Sequence, residues 1–204
     1  MTDFQTSLIQ VAFYGSYFCF ALPAAFFIKK YSYKSGILLG LSLYAAGCFL
    51  FYPAGHVGSY GFYLLALYVL AGGCSILETT ANPYILSMGS EKISTQRLNL
   101  AQAFNPIGCM AGILISQSYI LGKLNQAGEA ERAVMSAQDL EAIQYTEMNA
   151  VTMTYVYVGL VLMAILLLIL FSRMPKGEQP VEEENGSFKE ALGRLVKTGD
   201  MYME

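Results

Sequence analysis

The sequence predicts an all-α, polytopic membrane helix bundle, and three observations carry that reading. Of the 204 residues, 55% are hydrophobic and 13% charged, against roughly one quarter charged in soluble domains. The apolar residues fall in five long blocks, near the about 20 residues a helix needs to cross about 30 Å of hydrocarbon. No ten-residue alternating segments suggest a barrel, which leaves the helix as the form that satisfies its own backbone at membrane depth. A net charge of −3 without a basic stripe excludes a general nucleic-acid binder.

The first block runs from Leu8 to Ile28. Met1 to Gln5 lack the basic start of a signal peptide, so this block reads as a retained span. The second runs from Gly36 to Pro53, with Gly36, Gly40 and Tyr44 forming a small-residue packing seam. His56, between Pro53 and Tyr60, is placed in a short loop. The third block covers Phe62 to Ser87, the fourth Leu98 to Leu121 and the fifth Val151 to Phe171. In the long connection from Lys123 to Ala150, Ser136-Ala137-Gln138-Asp139 starts a capped short helix, read as a lid or spacer. Residues 1–175 thus form the bundle and 176–204 a linker, in which Phe188, Ala191, Leu192 and Leu195 recur at the spacing of a surface amphipathic helix. Lys29, Lys30, Lys34, Lys92, Arg97, Arg173 and Lys176 share one side, with Lys123 and Arg132 on the other. The positive-inside rule then puts the amino terminus outside and the carboxyl tail in the cytoplasm.

Polarity inside the spans is sparse. Cys19, Cys48, Cys74 and Cys109 form no CxxC pair or metal-ligand spacing, and His56 is the only imidazole, so neither a metal nor a cofactor is expected. Among 15 acidic residues, Glu78 alone sits well inside an apolar block. A charge there costs roughly 2.5–3.5 kcal/mol on insertion scales, so such a group faces a bundle interior or a wet cavity. Glu78 is therefore a candidate for exchanging a proton. Ala71, Ser75, Glu78 and Asn82 follow one helical stripe, and Pro83 frees the carbonyl of Thr79 beside it. In the fourth block Gln102, Asn105, Cys109, Gly112 and Ser116 share a face, and Pro106 interrupts the ladder near Gln102. Gln10, Tyr14 and Tyr17 share a face of the first block, where rings beside amides suit the apolar face and hydroxyl edge of a sugar. Tyr17 is equally suited to the membrane interface.

Two stretches, Leu77-Glu78-Thr79-Thr80-Ala81-Asn82-Pro83-Tyr84 and Arg97-Leu98-Asn99-Leu100-Ala101-Gln102-Ala103-Phe104-Asn105, resemble the L-fucose/proton symporter family, which includes bacterial glucose/galactose transporters. Ser7-Leu8-Ile9-Gln10-Val11-Ala12-Phe13-Tyr14 extends the resemblance, which covers nearly all of the chain up to Pro175. It implies the twelve-helix major facilitator fold, with this chain as helices two to six of the first half and its location the bacterial inner membrane. It also implies that Glu78 serves sugar binding and proton coupling and that Asn105 lines the sugar cavity. Asn82 and Gln102 come with them as motif neighbours on the same faces. The family's first helix carries an aspartate that has no counterpart here, and its second half is likewise unmatched. The chain is then expected to be an incomplete portion whose partners are a hexose, protons, the bilayer and the remaining helices.

The function this predicts is secondary active transport of a hexose coupled to protons by alternating access. The alternative of another class is a non-transporting membrane scaffold or sugar-sensing subunit, which needs the packing residues and no proton chemistry. An enzyme is not expected, because no HExxH or GxSxG motif is present.

Overall fold

The computed structural model describes residues 3–125, 127, 132 and 134–175, so the amphipathic tail expected around Phe188 to Leu195 lies outside the described residues. Five helical segments in it are long and apolar enough to cross a membrane. Helices α1 (Asp3–Lys30), α2 (Tyr33–Val57) and α3 (Tyr60–Ser87) are continuous. Each carries an internal proline, Pro23, Pro53 or Pro83, without breaking.

The fourth span is not uniform. A 3-10 turn at Glu91–Ile93 leads into α4 (Ser94–Gln102), and α5 (Phe104–Ile115) follows after a break at Ala103. The break falls one turn before Pro106, whose ring lacks the N–H that the carbonyl of Gln102 would need. A π turn at Ser116–Ile120 and a 3-10 turn at Leu121–Lys123 end the span.

Helix α6 (Ala137–Phe171) corrects one expectation about the connection before it. The short helix predicted at Ser136 is the first part of the fifth span itself, one helix of 35 residues. The start was correctly signalled: Ser136 Oγ accepts from the Asp139 N–H at 3.2 Å and donates to its carboxylate at 2.6 Å. Arg132 donates to both carboxylate oxygens of Glu147, at 2.6 and 3.2 Å, tying the end of the connection to α6. His56 is likewise helical, lying in the last turn of α2 before Gly58, which caps it at φ 63°.

Spatial order differs from chain order. α3 packs against both α1 and α2, and α2 also packs against α6, giving the row α1, α3, α2, α6. Small residues make these contacts possible, since lipid tails are as apolar as leucine and close backbone approach is what drives association. Gly40 of the predicted seam sits where a Cβ would lie 3.1 Å from the Gly73 carbonyl oxygen, and Gly36 faces the Thr80 side chain. Around this seam Ile28, Tyr33, Ile37, Leu41 and Tyr84 form one buried cluster, and Cys48, Phe51, Ala66 and Leu70 form another near the opposite end. The ring of Phe51 stacks on Tyr155 of α6 with centroids 3.9 Å apart.

Two basic residues read as orientation signals have a second role. Lys34 Nζ donates to the Leu170 and Ser172 carbonyls at 3.0 and 2.8 Å, closing the carboxyl end of α6. Arg97 donates to the carbonyls of Ile85, Leu86 and Ser90, closing that of α3. Both satisfy helix-terminal carbonyls that lack an intrahelical donor and oppose the negative end of the helix dipole.

Candidate functional site

Glu78 lies on α3, about 27 Å from the start of that helix at about 1.5 Å per residue. The stripe on which it was placed divides in two. Ala71 and Ser75 are buried at 0% and 1% exposure, whereas Glu78 is exposed and Asn82 half-buried. The cause is α1, which crosses the upper part of the stripe. Ser16 Oγ donates to the Tyr68 carbonyl at 2.6 Å, and a Cβ on Gly72 would meet the Phe20 ring at 2.8 Å. Ser75 thus acts as interhelical glue, its hydroxyl donating to the Tyr17 carbonyl at 3.2 Å.

That bond fixes a residue that sequence reasoning left between two roles. Tyr17 is held by its carbonyl to Ser75, and its hydroxyl donates to Glu78 Oε1 at 3.3 Å. The ring of Phe13, at 5.1 Å centroid separation, steadies it from behind. Spacing along α1 put Tyr17 on the correct face; the distinction from Tyr14 needed the α1 and α3 crossing. Tyr14 is 65% exposed and meets the Phe13 ring edge-on. Gln10 is exposed, and among the described residues neither it nor Tyr14 hydrogen-bonds Glu78.

The other predicted residues are partly assembled. Gln102 Nε2 donates to Asn82 Oδ1 at 3.2 Å, joining α4 to α3 one turn beyond Glu78. The Asn82 amide keeps a donor and the Gln102 amide an acceptor, a pair suited to a hydroxyl, which both gives and takes. Asn105 is exposed just past the break in the fourth span, and the Cys109 thiol donates weakly to it at 3.7 Å. No residue of α5 is buried. Among the described residues no group of His, Cys, Asp and Glu could hold a metal ion.

Tyr17 covers one oxygen of Glu78, so Tyr17→Phe is expected to raise the labelling of Glu78 by a water-soluble carbodiimide severalfold, read by mass spectrometry of its peptide. A hydrogen bond to a charged group contributes about 1.5–3 kcal/mol, enough for such a change. Equal labelling in both forms would show that the hydroxyl does not shield the carboxylate.

Five helices of lipid-crossing length, with a carboxylate and amides clustered on exposed faces, define a multi-pass membrane protein with an intramembrane polar cluster. The sequence model of the Major Facilitator Superfamily matches residues 1–202, and the chain belongs to that family. It is 41% identical over 199 residues to the L-fucose-proton symporter of Haemophilus influenzae, covering 95% of this chain and 46% of the relative. With the L-fucose-proton symporter of Escherichia coli it shares 36% over 199 residues, or 97% of this chain and 45% of that one. A glucose/galactose transporter of Brucella abortus is 42% identical over 123 residues, 60% of this chain and 30% of its own. A crystal structure of a Major Facilitator Superfamily transporter, FucP, in the outward conformation superposes with a TM-score of 0.84 at 36% identity, covering 97% of this chain and 48% of that one. The chain therefore spans about half the length of the curated relatives it matches, and its helices correspond to half of a major facilitator fold.

Proposed function

We propose that the chain is the part of a secondary transporter that couples a hexose of the fucose, glucose or galactose type to protons by alternating access, in a bacterial inner membrane. The names of its relatives support the substrate and the coupling. The observation that carries the reading is the Tyr17 to Glu78 contact: an intramembrane carboxylate on an exposed face, held by one hydroxyl and followed one turn later by the Asn82 and Gln102 pair. A carboxylate facing lipid would be costly, so this face is assigned to a water-accessible chamber.

In this mechanism Glu78 takes the proton and contributes to the sugar site. Asn105, Gln102 and Asn82 supply hydroxyl partners, and Gln10 and Tyr14 form a wall of the same chamber. Protonation of Glu78 changes sugar affinity differently in the outward and inward states, which is the differential binding that shifts the equilibrium between them. The amino terminus faces outward and the carboxyl tail the cytoplasm, on the distribution of Lys29, Lys30, Lys34, Lys92, Arg97 and Arg173.

The test is a chimera in which this chain replaces the matched segment of the H. influenzae relative. In proteoliposomes with an imposed proton gradient it is expected to accumulate labelled L-fucose or D-galactose above the external concentration. A folded chimera that binds neither sugar and accumulates neither favours the scaffold alternative.

A further inference from the structure

A second polar site lies at the other end of the bundle, about 22 Å along α3 from Glu78 at about 1.5 Å per residue. There α2 and α6 separate around a cavity of 220 Å³, lined by Tyr52, His56, Tyr145, Asn149 and Thr152 among others. Lower down the two helices touch closely, since a Cβ on Gly159 would stand 3.1 Å from Cys48. The cavity lies beside Gly55, where α2 and α6 come close again.

Two buried hydroxyls beside Gly55, Thr152 Oγ1 and Tyr63 Oη, have no hydrogen-bond partner among the described residues, and Thr152 lines the cavity. A Cβ on Gly55 would be 2.9 Å from the first and 3.5 Å from the second. Thr152 is only 4% exposed. A buried polar atom left unpaired is uncommon in folded proteins and costs stability, so it points to an occupant that hydrogen-bonds there. The surrounding groups state what kind. Hydroxyls, an amide and an imidazole both donate and accept, as a polyol's hydroxyls do. The Tyr52 and His56 rings, edge to face at 4.8 Å, and Tyr145 supply flat apolar surface. Among the described residues no Lys, Arg, Asp or Glu lines the cavity, so none of them balances an ionised ligand there.

We infer that this cavity between α2 and α6 is a binding site for a small neutral polyhydroxylated molecule of monosaccharide size, separate from the Glu78 cluster. Thr152, His56 and Asn149 hold its hydroxyls.

His56 is the only histidine of the chain, so its imidazole gives one signal that reports on this site alone. The chain, labelled with ¹³C-histidine and held in lipid nanodiscs, is titrated with D-galactose, with myo-inositol and with inorganic phosphate. A saturable shift of the imidazole signal is expected with at least one of the two polyols and not with phosphate. Thr152→Val and the exposed Asn149→Leu are each expected to weaken it about tenfold, the loss of one hydrogen bond. Glu78→Gln is expected to leave it unchanged, which separates this site from the proposed transport site. The inference is overturned by the absence of any saturable polyol shift, which would mean that water alone fills the cavity. It is equally overturned by a response to phosphate alone, by full binding in both cavity variants, or by loss of the shift in Glu78→Gln.

Discussion

Glu78→Gln in the chimera is expected to reduce sugar accumulation under a proton gradient to simple equilibration across the membrane. With one proton moved per sugar, a gradient of one pH unit can support about a tenfold concentration ratio, because each unit corresponds to about 1.36 kcal/mol. Glutamine keeps the size of the side chain and an oxygen that can accept from the Tyr17 hydroxyl, now 3.3 Å from Oε1. It cannot release a proton on one side of the membrane and regain it on the other. The variant is therefore expected to fold and to exchange sugar down its gradient, with the ratio held near one. A Glu78→Gln chimera that still concentrates sugar about tenfold would remove this residue from the coupling. The readout is labelled sugar retained in proteoliposomes with and without a proton uncoupler.

The second large effect concerns the fold. Gly73 of α3 is buried against the backbone of α2, and a Cβ there would fall 2.6 Å from Tyr44 Cα. One turn away Gly47 of α2 makes the reciprocal approach to the Leu70 backbone. Neither neighbour can swing aside, as a flexible side chain could. Gly73→Val is expected to force α2 from α3 and to destabilise the bundle by about 3 kcal/mol or more, the upper range for overpacking. This would appear as a lower midpoint of thermal unfolding in detergent, followed by helical circular dichroism. Gly108→Ala is the control: nothing lies within 4 Å of its Cβ position, so its expected effect is nil or slightly stabilising through helix propensity. Equal stability of the two variants would mean that the α2 and α3 seam does not hold the bundle together.

What the sequence determined by itself was what depends on depth and on the local chain. Apolar block length set the number of helices, because hydrocarbon thickness is a one-dimensional requirement. The break before Pro106, the cap at Ser136 and the seam at Gly36 and Gly40 followed from a missing N–H, a short acceptor and an absent Cβ. Glu78 stood out because a carboxylate among apolar residues is costly wherever the helix is turned. The tertiary structure decided which faces meet. It placed α3 between α1 and α2, divided the stripe so that Ser75 is buried and Glu78 exposed, and chose Tyr17 over Tyr14 and Gln10 as the carboxylate's partner. It also merged the short helix at Ser136 into α6 and turned Lys34 and Arg97 into caps of helices distant in sequence. Hydropathy has no lateral direction in lipid, so neighbours are selected by the fit of small residues and by a few hydrogen bonds that exist only once the helices have met.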